Sequence, residues 1–428
     1  MHLFIYFLLF VKVANLLPDS IEIYVYLWYN HIRIIILIKE RIKMNINISD
    51  AIKYIGVDDK DIDLFESQYI VPNGISYNSY VILDEKICVL DTVDKRKTDE
   101  WFANLENVLD GKAPDYLVIN HLEPDHASNI KALADKYPDM KLVGNAKTFN
   151  MLPQFFDIDL TDRTVTVKEG DTLSLGEHTL SFYMAPMVHW PEVMVTYESK
   201  EKVLFSADGF GKFGAIDTDE DWACEARRYY FNICGKYGVQ VQALLKKAAK
   251  LDIEKICPLH GPILTENLGY YINLYDIWSK YEPEVDGIFI AYCSIHGNTE
   301  KAALKLYGIL KEKTNKKIAI SDLSRSDMAE NIEDAFKYST LVVAAPSYDG
   351  GVFPIMNDFL HHLKIKGYKN RKVAMIENGS WAPCAIKAMQ PYFEEMKGIE
   401  VSDAKVTIRS TMTAENEAQL AALAESVI

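Results

Sequence analysis

The stretch from Asn120 to His126, Asn-His-Leu-Glu-Pro-Asp-His, most constrains how this chain can fold, because four side chains that often bind metals fall within six residues. Residues 116–120 before it form an apolar run between turn signals, which predicts a short buried strand. Residues 128–136 after it combine a capping-type serine with apolar residues at helical spacing, which predicts a helix. The stretch is therefore expected on a strand-to-helix loop, where a rigid scaffold can present side chains to a ligand.

The spacing within this stretch indicates how the side chains are directed. His121, Glu123 and Asp125 lie two residues apart, so an extended loop would direct all three to one side. Pro124 fixes its own φ and disfavours helix at Glu123, which favours such a loop. A charged surface loop is the alternative, and it would be preferred for one histidine beside one carboxylate. Four ligand-type side chains directly after a buried strand instead predict half of a metal site.

Three further ligand-type residues each follow an apolar, strand-like run. His189 precedes Trp190-Pro191, Asp208 precedes Gly209, and His260 precedes Gly261. Taken alone, each would be assigned a structural role, but the repeated pattern predicts that they share one pocket rim. The predicted ligands are His121, Glu123, Asp125, His189, Asp208 and His260. Six ligands are too many for one zinc ion but suit two metals with one bridging carboxylate.

Composition limits the classes of function. A length of 428 residues predicts two or three domains, and 49% hydrophobic and 25% charged residues are typical of a soluble globular protein. The net charge of -15 argues against general binding of nucleic acid, which needs a basic face. The six cysteines are scattered without a C-x-x-C pair. This excludes a rubredoxin-like or zinc-ribbon module within the chain and predicts reduced thiols and a cytoplasmic location.

Residues 1–43 differ from the rest of the chain. Their apolar runs are broken by charged residues and by Pro18, and none approaches the roughly 20 uninterrupted apolar residues of a spanning helix. A signal peptide would show early positive charge and a small-residue cleavage site, and neither is clear. We interpret residues 1–43 as an extension of uncertain status, such as a start-site artefact, with a membrane anchor as the alternative.

A polar, proline-containing junction at residues 281–287 predicts a domain boundary, which divides the chain into domains at 44–283 and 284–428. Beyond it, an apolar strand at 288–292 leads into a loop and a helix with the features of a phosphate site. Ser294 and Thr299 offer hydroxyls, the nearby glycine permits close approach of the backbone, and the helix N-terminus favours an anion. No Walker lysine is present, so a nucleoside triphosphate is not expected.

Two later loops support a ligand site in this half. Residues 346–354 and 378–383 both follow apolar strands, and ligands bind at the carboxyl ends of strands in doubly wound sheets. Tyr348 and Trp381 can stack on a planar ring, although packing roles are the alternative for each. The residues predicted to bind this ligand are Ser294, Ile295, His296, Gly297, Asn298, Thr299, Pro346, Ser347, Tyr348, Asp349, Gly350, Gly351, Asn378, Gly379, Ser380 and Trp381.

The region 44–280 resembles the metallo-β-lactamase fold, whose zinc hydrolases carry H-x-H-x-D-H, but here Glu123 stands at the third position. A carboxylate in place of an imidazole makes the site harder and shifts it from zinc toward iron. This substitution resembles the diiron site of flavodiiron proteins, in which residues matching the six predicted ligands bind metal. The residue matching His126 usually does not coordinate, and Trp190 also resembles the family, so both are expected as neighbours of the ligands.

The three later loops resemble the FMN site of flavodoxins, although His296 replaces the second threonine of the usual T-x-T-G-N-T phosphate loop. The combined resemblance is to A-type flavodiiron proteins. It implies an α/β chain in which a metallo-β-lactamase αββα sandwich is followed by a flavodoxin-like doubly wound parallel sheet. The cofactors that it implies are FMN and two iron ions, with Asp208 as the bridging ligand.

The resemblance implies an oxidoreductase that reduces dioxygen to water, nitric oxide to nitrous oxide, or both, with electrons passing from a donor through FMN to the irons. It also implies a separate donor, either rubredoxin or a reduced deazaflavin, and a head-to-tail homodimer or a dimer of dimers. A zinc hydrolase with a regulatory flavin domain is the alternative, which Glu123 disfavours. An electron-transfer flavoprotein with a vestigial metal domain is a third hypothesis, which the full ligand set disfavours. The sequence indicates neither the preferred gas nor the donor.

Overall fold

The computed structural model describes the backbone of residues 21–26 and 35–40 and the complete residues 48–159, 162–218 and 220–428. The chain divides into two compact units, residues 1–54 and 55–428. The first unit contains β1 (Ile21–Tyr26) and β2 (Ile35–Glu40), which pair antiparallel, and β3 (Ile52–Tyr54). Most of the predicted extension at 1–43 lies outside the described residues. Among the residues that are described, no helix is long and apolar enough to cross a membrane.

The second unit begins with a mixed sheet. Its strands lie side by side in the order β12, β11, β10, β9, β8, and all adjacent pairs are parallel except β8 with β9. The strands of this part are β4 (Val57–Asp59), β5 (Leu64–Phe65), β6 (Tyr69–Ile70), β7 (Ile75–Tyr77), β8 (Tyr80–Ile82), β9 (Cys88–Leu90), β10 (Tyr116–Val118), β11 (Lys141–Asn145) and β12 (Thr164–Val167). Its helices are α1 (Thr98–Leu109), α2 (Pro124–Ala127), α3 (Ile130–Lys136) and α4 (Ala146–Met151). Trp101 of α1 and Leu133 of α3 share one apolar cluster with Leu117 of β10, so these helices cover the sheet.

A second sheet lies against the first and has the order β13, β14, β15, β16, β17, antiparallel except for the last pair. Its strands are β13 (Thr172–Ser174), β14 (Thr179–Met184), β15 (Met194–Glu198), β16 (Val203–Phe205) and β17 (Lys255–Cys257), and its helices are α5 (Trp222–Tyr229), α6 (Gly238–Ala248) and α7 (Leu268–Lys280). The rings of Tyr80 and Phe205 meet between the two sheets with centroids 5.2 Å apart. Leu204 of β16 packs in one cluster with Leu244 of α6 and Trp278 of α7, which gives helix, sheet, sheet and helix in succession.

The third sheet is parallel and has the order β19, β18, β20, β22, β23, the doubly wound order 2-1-3-4-5. Its strands are β18 (Val285–Tyr292), β19 (Lys317–Asp322), β20 (Tyr338–Tyr348), β22 (Lys372–Asn378) and β23 (Glu400–Ile408), and β21 (Gly351–Val352) pairs with the end of β20. Its helices are α8 (Asn298–Lys313), α9 (Met328–Lys337), α10 (Pro354–Ile365), α11 (Ala385–Glu395) and α12 (Ala414–Val427). Ile288 and Ile290 of β18 pack with α8 and α12, whereas Phe289 and Ala291 pack with α9, α10 and α11. The doubly wound sheet predicted for this half is therefore confirmed.

Residues on the two sides of the predicted boundary at residue 283 are in direct contact. The buried Arg227 side chain donates to Glu284 at 2.7 Å and to Glu333 at 2.6 Å. The rings of Phe231 and Phe336 stack with centroids 4.1 Å apart. The two halves therefore share one packed core, and the boundary itself stays a prediction.

Candidate functional site

The predicted metal ligands occupy turns that follow strands. His121 lies beyond β10, His189 beyond β14, Asp208 beyond β16 and His260 beyond β17. Short polar contacts fix these turns: the Ser206 hydroxyl, for example, donates to the Gly209 carbonyl at 2.6 Å in the turn that carries Asp208. The strand-end pattern predicted from the sequence is thus the feature that gathers these side chains.

Four of the predicted ligands form a first group, which contains His121, Glu123, His189 and Asp208. Their ligand atoms all lie within 4.8 Å of one another. The Nε2 atom of His189 lies 2.8 Å from Glu123 Oε2 and 3.1 Å from Asp208 Oδ2. The Nε2 atom of His121 lies 3.2 Å from the same Glu123 oxygen. Two imidazoles and two carboxylates therefore face a common centre.

A second group contains Asp125, His126 and His260, whose ligand atoms also lie within 4.8 Å of one another. His260 Nε2 lies 3.0 Å from His126 Nε2 and 3.2 Å from Asp125 Oδ2. Asp208 connects the two groups, because its Oδ1 lies 3.5 Å from His126 Nε2 while its Oδ2 faces His189. This is the geometry expected of a carboxylate that bridges two metals.

The expectation of an extended loop through Asp125 is wrong. Residues Pro124–Ala127 form one helical turn with the proline at its first position. Proline favours that position because its φ suits a helix and its missing N–H has no intrahelical partner to lose. The turn separates Asp125 from His121 and Glu123 and places it beside His126 in the second group. The physical signal for this was present in the sequence, since proline is as typical of a helix start as of an extended loop.

His126 was expected only as a neighbour of the ligands, and the structure places its Nε2 3.3 Å from Asp125 Oδ2, inside the second group. Its Nε2 atom therefore lies among the ligand atoms of this group, as those of the predicted ligands Asp125 and His260 do. Trp190 has a different position. Its ring packs edge-on against the His121 ring with centroids 5.3 Å apart, and it also contacts Phe155. Trp190 thus supports a ligand without offering a metal-binding atom.

The electrostatics of both groups suit cations. Both oxygens of Asp125 and of Asp208 are buried and accept no well-aligned hydrogen bond from the described residues. Burial opposes ionisation of Asp208, but the neighbouring histidines, His121 first, hold its pKa well below the usual range. Burial also disfavours protonation of His121, yet the facing Asp208 and Glu123 raise its pKa to about 10. Metal ions would displace these ring protons, and the carboxylate-rich donor set favours iron over zinc.

A cavity of about 810 Å³ lies at the carboxyl ends of β18, β20 and β22. Of the residues predicted to bind the second ligand, all except Gly297 and Gly351 line it. The prediction missed five lining residues, namely Ala382, Pro383, Cys384, Lys387 and Ser410. Ser410 follows β23, so the strand-end rule used for the other loops could have found it. Ala382 and Pro383 end the 378–383 loop that the sequence already indicates, whereas Cys384 and Lys387 lie at the start of α11 and carry no distinguishing pattern.

One end of the cavity has the features of a phosphate site. The Ser294 hydroxyl is buried and has no hydrogen-bond partner among the described residues. Gly297 precedes α8 with a φ of +80°, which only glycine adopts readily, and α8 then runs for 16 residues. The first backbone N–H groups of a helix have no partner within it, so they can donate to an anion. Gly297 therefore shapes the loop, although it does not line the cavity.

The rim of the cavity is aromatic and open. The Trp381 side chain is 90% exposed, and Tyr348 is 44% exposed. Behind them, Gly379 permits a close approach of two chain segments, since a Cβ atom there would lie 2.9 Å from the Pro383 Cα atom. Two exposed rings beside a phosphate-binding end, with a polar backbone between them, fit a flavin mononucleotide.

Known proteins share this combination of a metallo-β-lactamase-like part and a flavodoxin-like part. A family profile described as ODP family beta lactamase matches residues 75–261. The chain is 30% identical over 364 residues to the nitric oxide reductase of Moorella thermoacetica, covering 82% of this chain and 90% of that protein. The structure matches rubredoxin oxygen:oxidoreductase from Desulfovibrio gigas with a TM-score of 0.82 and 26% identity, covering 89% of this chain and 97% of that one. It also has the fold of the flavodiiron protein from Giardia intestinalis, with a TM-score of 0.82, 24% identity and coverage of 89% and 96%.

Fold and site together define a protein that joins a metallo-β-lactamase-like part with two adjoining groups of potential metal ligands to a flavodoxin-like part with a cavity that fits a nucleotide. The similarity to the relatives extends over both parts. The chain therefore belongs to the flavodiiron protein family.

Proposed function

We propose that this flavodiiron protein is an oxidoreductase that reduces dioxygen to water, nitric oxide to nitrous oxide, or both. The observation that carries the proposal is the pair of buried ligand groups joined by Asp208. The names of the relatives support the reaction class, since one is a nitric oxide reductase and another a rubredoxin oxygen:oxidoreductase. A zinc hydrolase, the alternative from the sequence, finds no support in these relatives. The vestigial metal domain is disfavoured because the ligands meet in two ordered groups.

The residues present fit two iron ions and FMN. His121, Glu123, His189 and Asp208 would hold one iron, and Asp125, His126, His260 and Asp208 the other. The cavity lined by the 294–299, 346–350 and 378–384 loops would hold FMN. When bound, these cofactors supply the electrons and the open metal positions that reduction of a diatomic gas requires.

The chain's own residues would position the metals and the flavin and exclude bulk water from the metal ligands. His121, Asp208 and His260 are at most 1% exposed, and Glu123 reaches only 14%, so the ligands lie in surroundings that exclude bulk water. Low polarity strengthens the attraction between the carboxylates and any cation between them. The Ser294 hydroxyl and the first amides of α8 would orient the phosphate, and Trp381 would cover the ring.

The domains at 44–283 and 284–428 would then divide the chemistry between metal and flavin. We also propose that a separate donor, a rubredoxin or a reduced deazaflavin, delivers electrons, and that the protein assembles as a head-to-tail dimer or a dimer of dimers. The exposed Trp381 and Tyr348 support this assembly, because a second copy seated on the rim would cover them. A cytoplasmic location stays a prediction.

The experiment that tests this function combines composition with turnover. Purified protein from iron-replete medium should contain about two irons and one FMN per chain, the stoichiometry that two ligand groups and one cavity imply. It should consume dioxygen, nitric oxide or both when each gas is added to an otherwise anaerobic assay. Reduced rubredoxin and then reduced deazaflavin serve as the electron donors. Stoichiometric zinc together with hydrolysis of a thioester or lactam would overturn the proposal. The relative rates with the two gases would establish the preferred substrate.

A further inference from the structure

Glu192 is a buried carboxylate outside the ligand set, only 1% exposed, in the same loop as His189. Its Oε1 lies 2.9 Å from His121 Nδ1 and also accepts the Leu122 backbone N–H at 2.9 Å. Its Oε2 is buried with no hydrogen-bond partner among the described residues. The charge of this carboxylate is therefore directed largely at a single imidazole.

The two nitrogens of His121 have different surroundings, which settles where its proton resides in the metal-bound protein. Nε2 faces Glu123 and Asp208 in the first group, so a metal there requires the Nε2 lone pair. The proton must then lie on Nδ1, where Glu192, as an acceptor, is its partner. A carboxylate in this position fixes the ring orientation and makes the imidazole a more strongly donating ligand.

The second group lacks this arrangement. His260 Nδ1 lies 2.7 Å from the Ser76 backbone carbonyl, a neutral acceptor. His126 Nδ1 is buried without a hydrogen-bond partner in the described part of the chain. The imidazole ligands of the first group thus include one supported by a full negative charge. Of the two in the second group, His260 is supported by a neutral dipole and His126 by no partner among the residues that the structure describes.

From this asymmetry we propose that Glu192 is a positioning residue for His121 that strengthens metal binding in the first group and lowers the reduction potential of the metal bound there relative to its neighbour. The Glu192 backbone is itself held in place, because Asn145 Nδ2 donates to its carbonyl at 2.6 Å. Asn145 in turn caps α4 through its Oδ1 atom. The inference deepens the proposed function and rests on it, since it requires metals at the two groups.

The test is Glu192→Gln in the holoprotein. Glutamine keeps the shape and an oxygen that accepts from both His121 and Leu122, but it removes the charge. We expect iron affinity at one of the two positions, measured by chelator competition, to fall about 10- to 100-fold, as is typical when such a partner is changed. The midpoint potential of the metal pair, followed by electron paramagnetic resonance, should rise, while the FMN potential stays unchanged.

Glu198→Gln is the matched control. Glu198 is equally buried and accepts hydrogen bonds from the backbone N–H groups of Lys200 and Glu201 at 2.7 and 2.8 Å. Among the described residues, it has no recorded contact with any of the candidate metal-ligand side chains. This variant should keep the iron affinity and the potential of the parent protein. If Glu192→Gln behaved in the same way, with only a lower melting temperature, the positioning role would be wrong. Iron missing from the parent protein would instead overturn the proposed function.

A second measurement decides the question if Glu192→Gln does not fold. Parent protein loaded with zinc, which is diamagnetic, and labelled with ¹⁵N at histidine should show protected ring Nδ1–H signals from His121 bonded to Glu192 and from His260 bonded to Ser76. His178 is bonded to Asp84 away from both groups, and its signal is assigned by its loss in His178→Asn. The His121 signal should lie further downfield, because a charged acceptor makes the stronger hydrogen bond. Absence of the His121 signal, or a His121 signal no further downfield than that of His260, would overturn the proposal.

Discussion

The metal-ligand groups and the nucleotide cavity are both built from residues that follow strands, yet they differ in how complete the chain makes them. His121 is fully buried, and its ring nitrogens already contact three carboxylates. Trp381, on the rim of the cavity, is 90% exposed and makes no ring contact among the described residues. Buried charges must be arranged by the protein itself, because leaving them unpaired is costly. An open cavity gains its contacts from the ligand, so single changes there should have graded effects.

Asp208→Asn tests the buried side of this contrast and has the largest expected effect. Asparagine keeps the shape but removes the charge that would offset two cations, and its amide nitrogen cannot bind a metal. We expect loss of nearly all iron and of gas reduction. Flavin content, measured by absorbance on the same sample, should stay normal because the cavity is separate. Retention of full iron and turnover would contradict the bridging role of Asp208.

His126→Asn asks whether the second group has three donors or two. If His126 is a ligand, as its Nε2 position indicates, iron content should fall from about two per chain toward one, since one metal keeps its ligands. His178→Asn is the matched control, because His178 is also buried and is paired with Asp84 and Glu201 away from both groups. About two irons per chain in His126→Asn would mean that His126 is a neighbour of the ligands, as the sequence predicts, and does not itself bind metal.

The sequence predicted the strand-end positions of the candidate ligands because these positions follow from local patterns, and that these side chains bind metal stays a prediction. Apolar runs set β10, β16 and β17, and the polar residue after each run then falls at an edge of a sheet. It could not predict how seven side chains divide into two groups. That division depends on one helical turn at Pro124, where two local preferences of proline compete and packing decides. The role of Glu192 was also invisible, since its partner is 71 residues away in the chain.

The cavity shows the same limit. Glycine, serine and aromatic residues mark its loops, and the doubly wound sheet places those loops together. Lys387 joins the lining only because α11 approaches the same edge in three dimensions, and no local spacing relates it to the phosphate loop. Ser410 differs, because it follows β23 and the strand-end rule could have found it. Sequence patterns thus indicated both candidate sites, and tertiary contacts determine which further residues line them.

Ser294→Ala tests the closed end of the cavity and should have an intermediate effect. The Ser294 hydroxyl is buried and unpaired among the described residues, so it is available to the phosphate. A hydrogen bond to a charged group contributes about 1.5–3 kcal/mol, which corresponds to an FMN affinity about 10- to 150-fold weaker. Affinity can be measured by fluorescence titration of the apoprotein. Ser402→Ala, at a serine bonded to Ser426, is the control and should bind FMN normally. Equal affinities would place the phosphate elsewhere.

Trp381→Ala tests the open rim and should have the smallest effect. Loss of stacking costs about 1 kcal/mol, so FMN binding should weaken several-fold. The flavin potential should shift because the ring becomes more exposed, while iron content stays normal. Donor-driven gas reduction should fall, yet a chemically pre-reduced protein should still consume one equivalent of gas, since the metal ligands are untouched. Trp381→Phe, which keeps an aromatic ring, should recover most of the affinity. If both variants bound FMN and turned over as the parent does, the exposed tryptophan would have no part in flavin binding, and covering by a second copy would be the remaining explanation for its position.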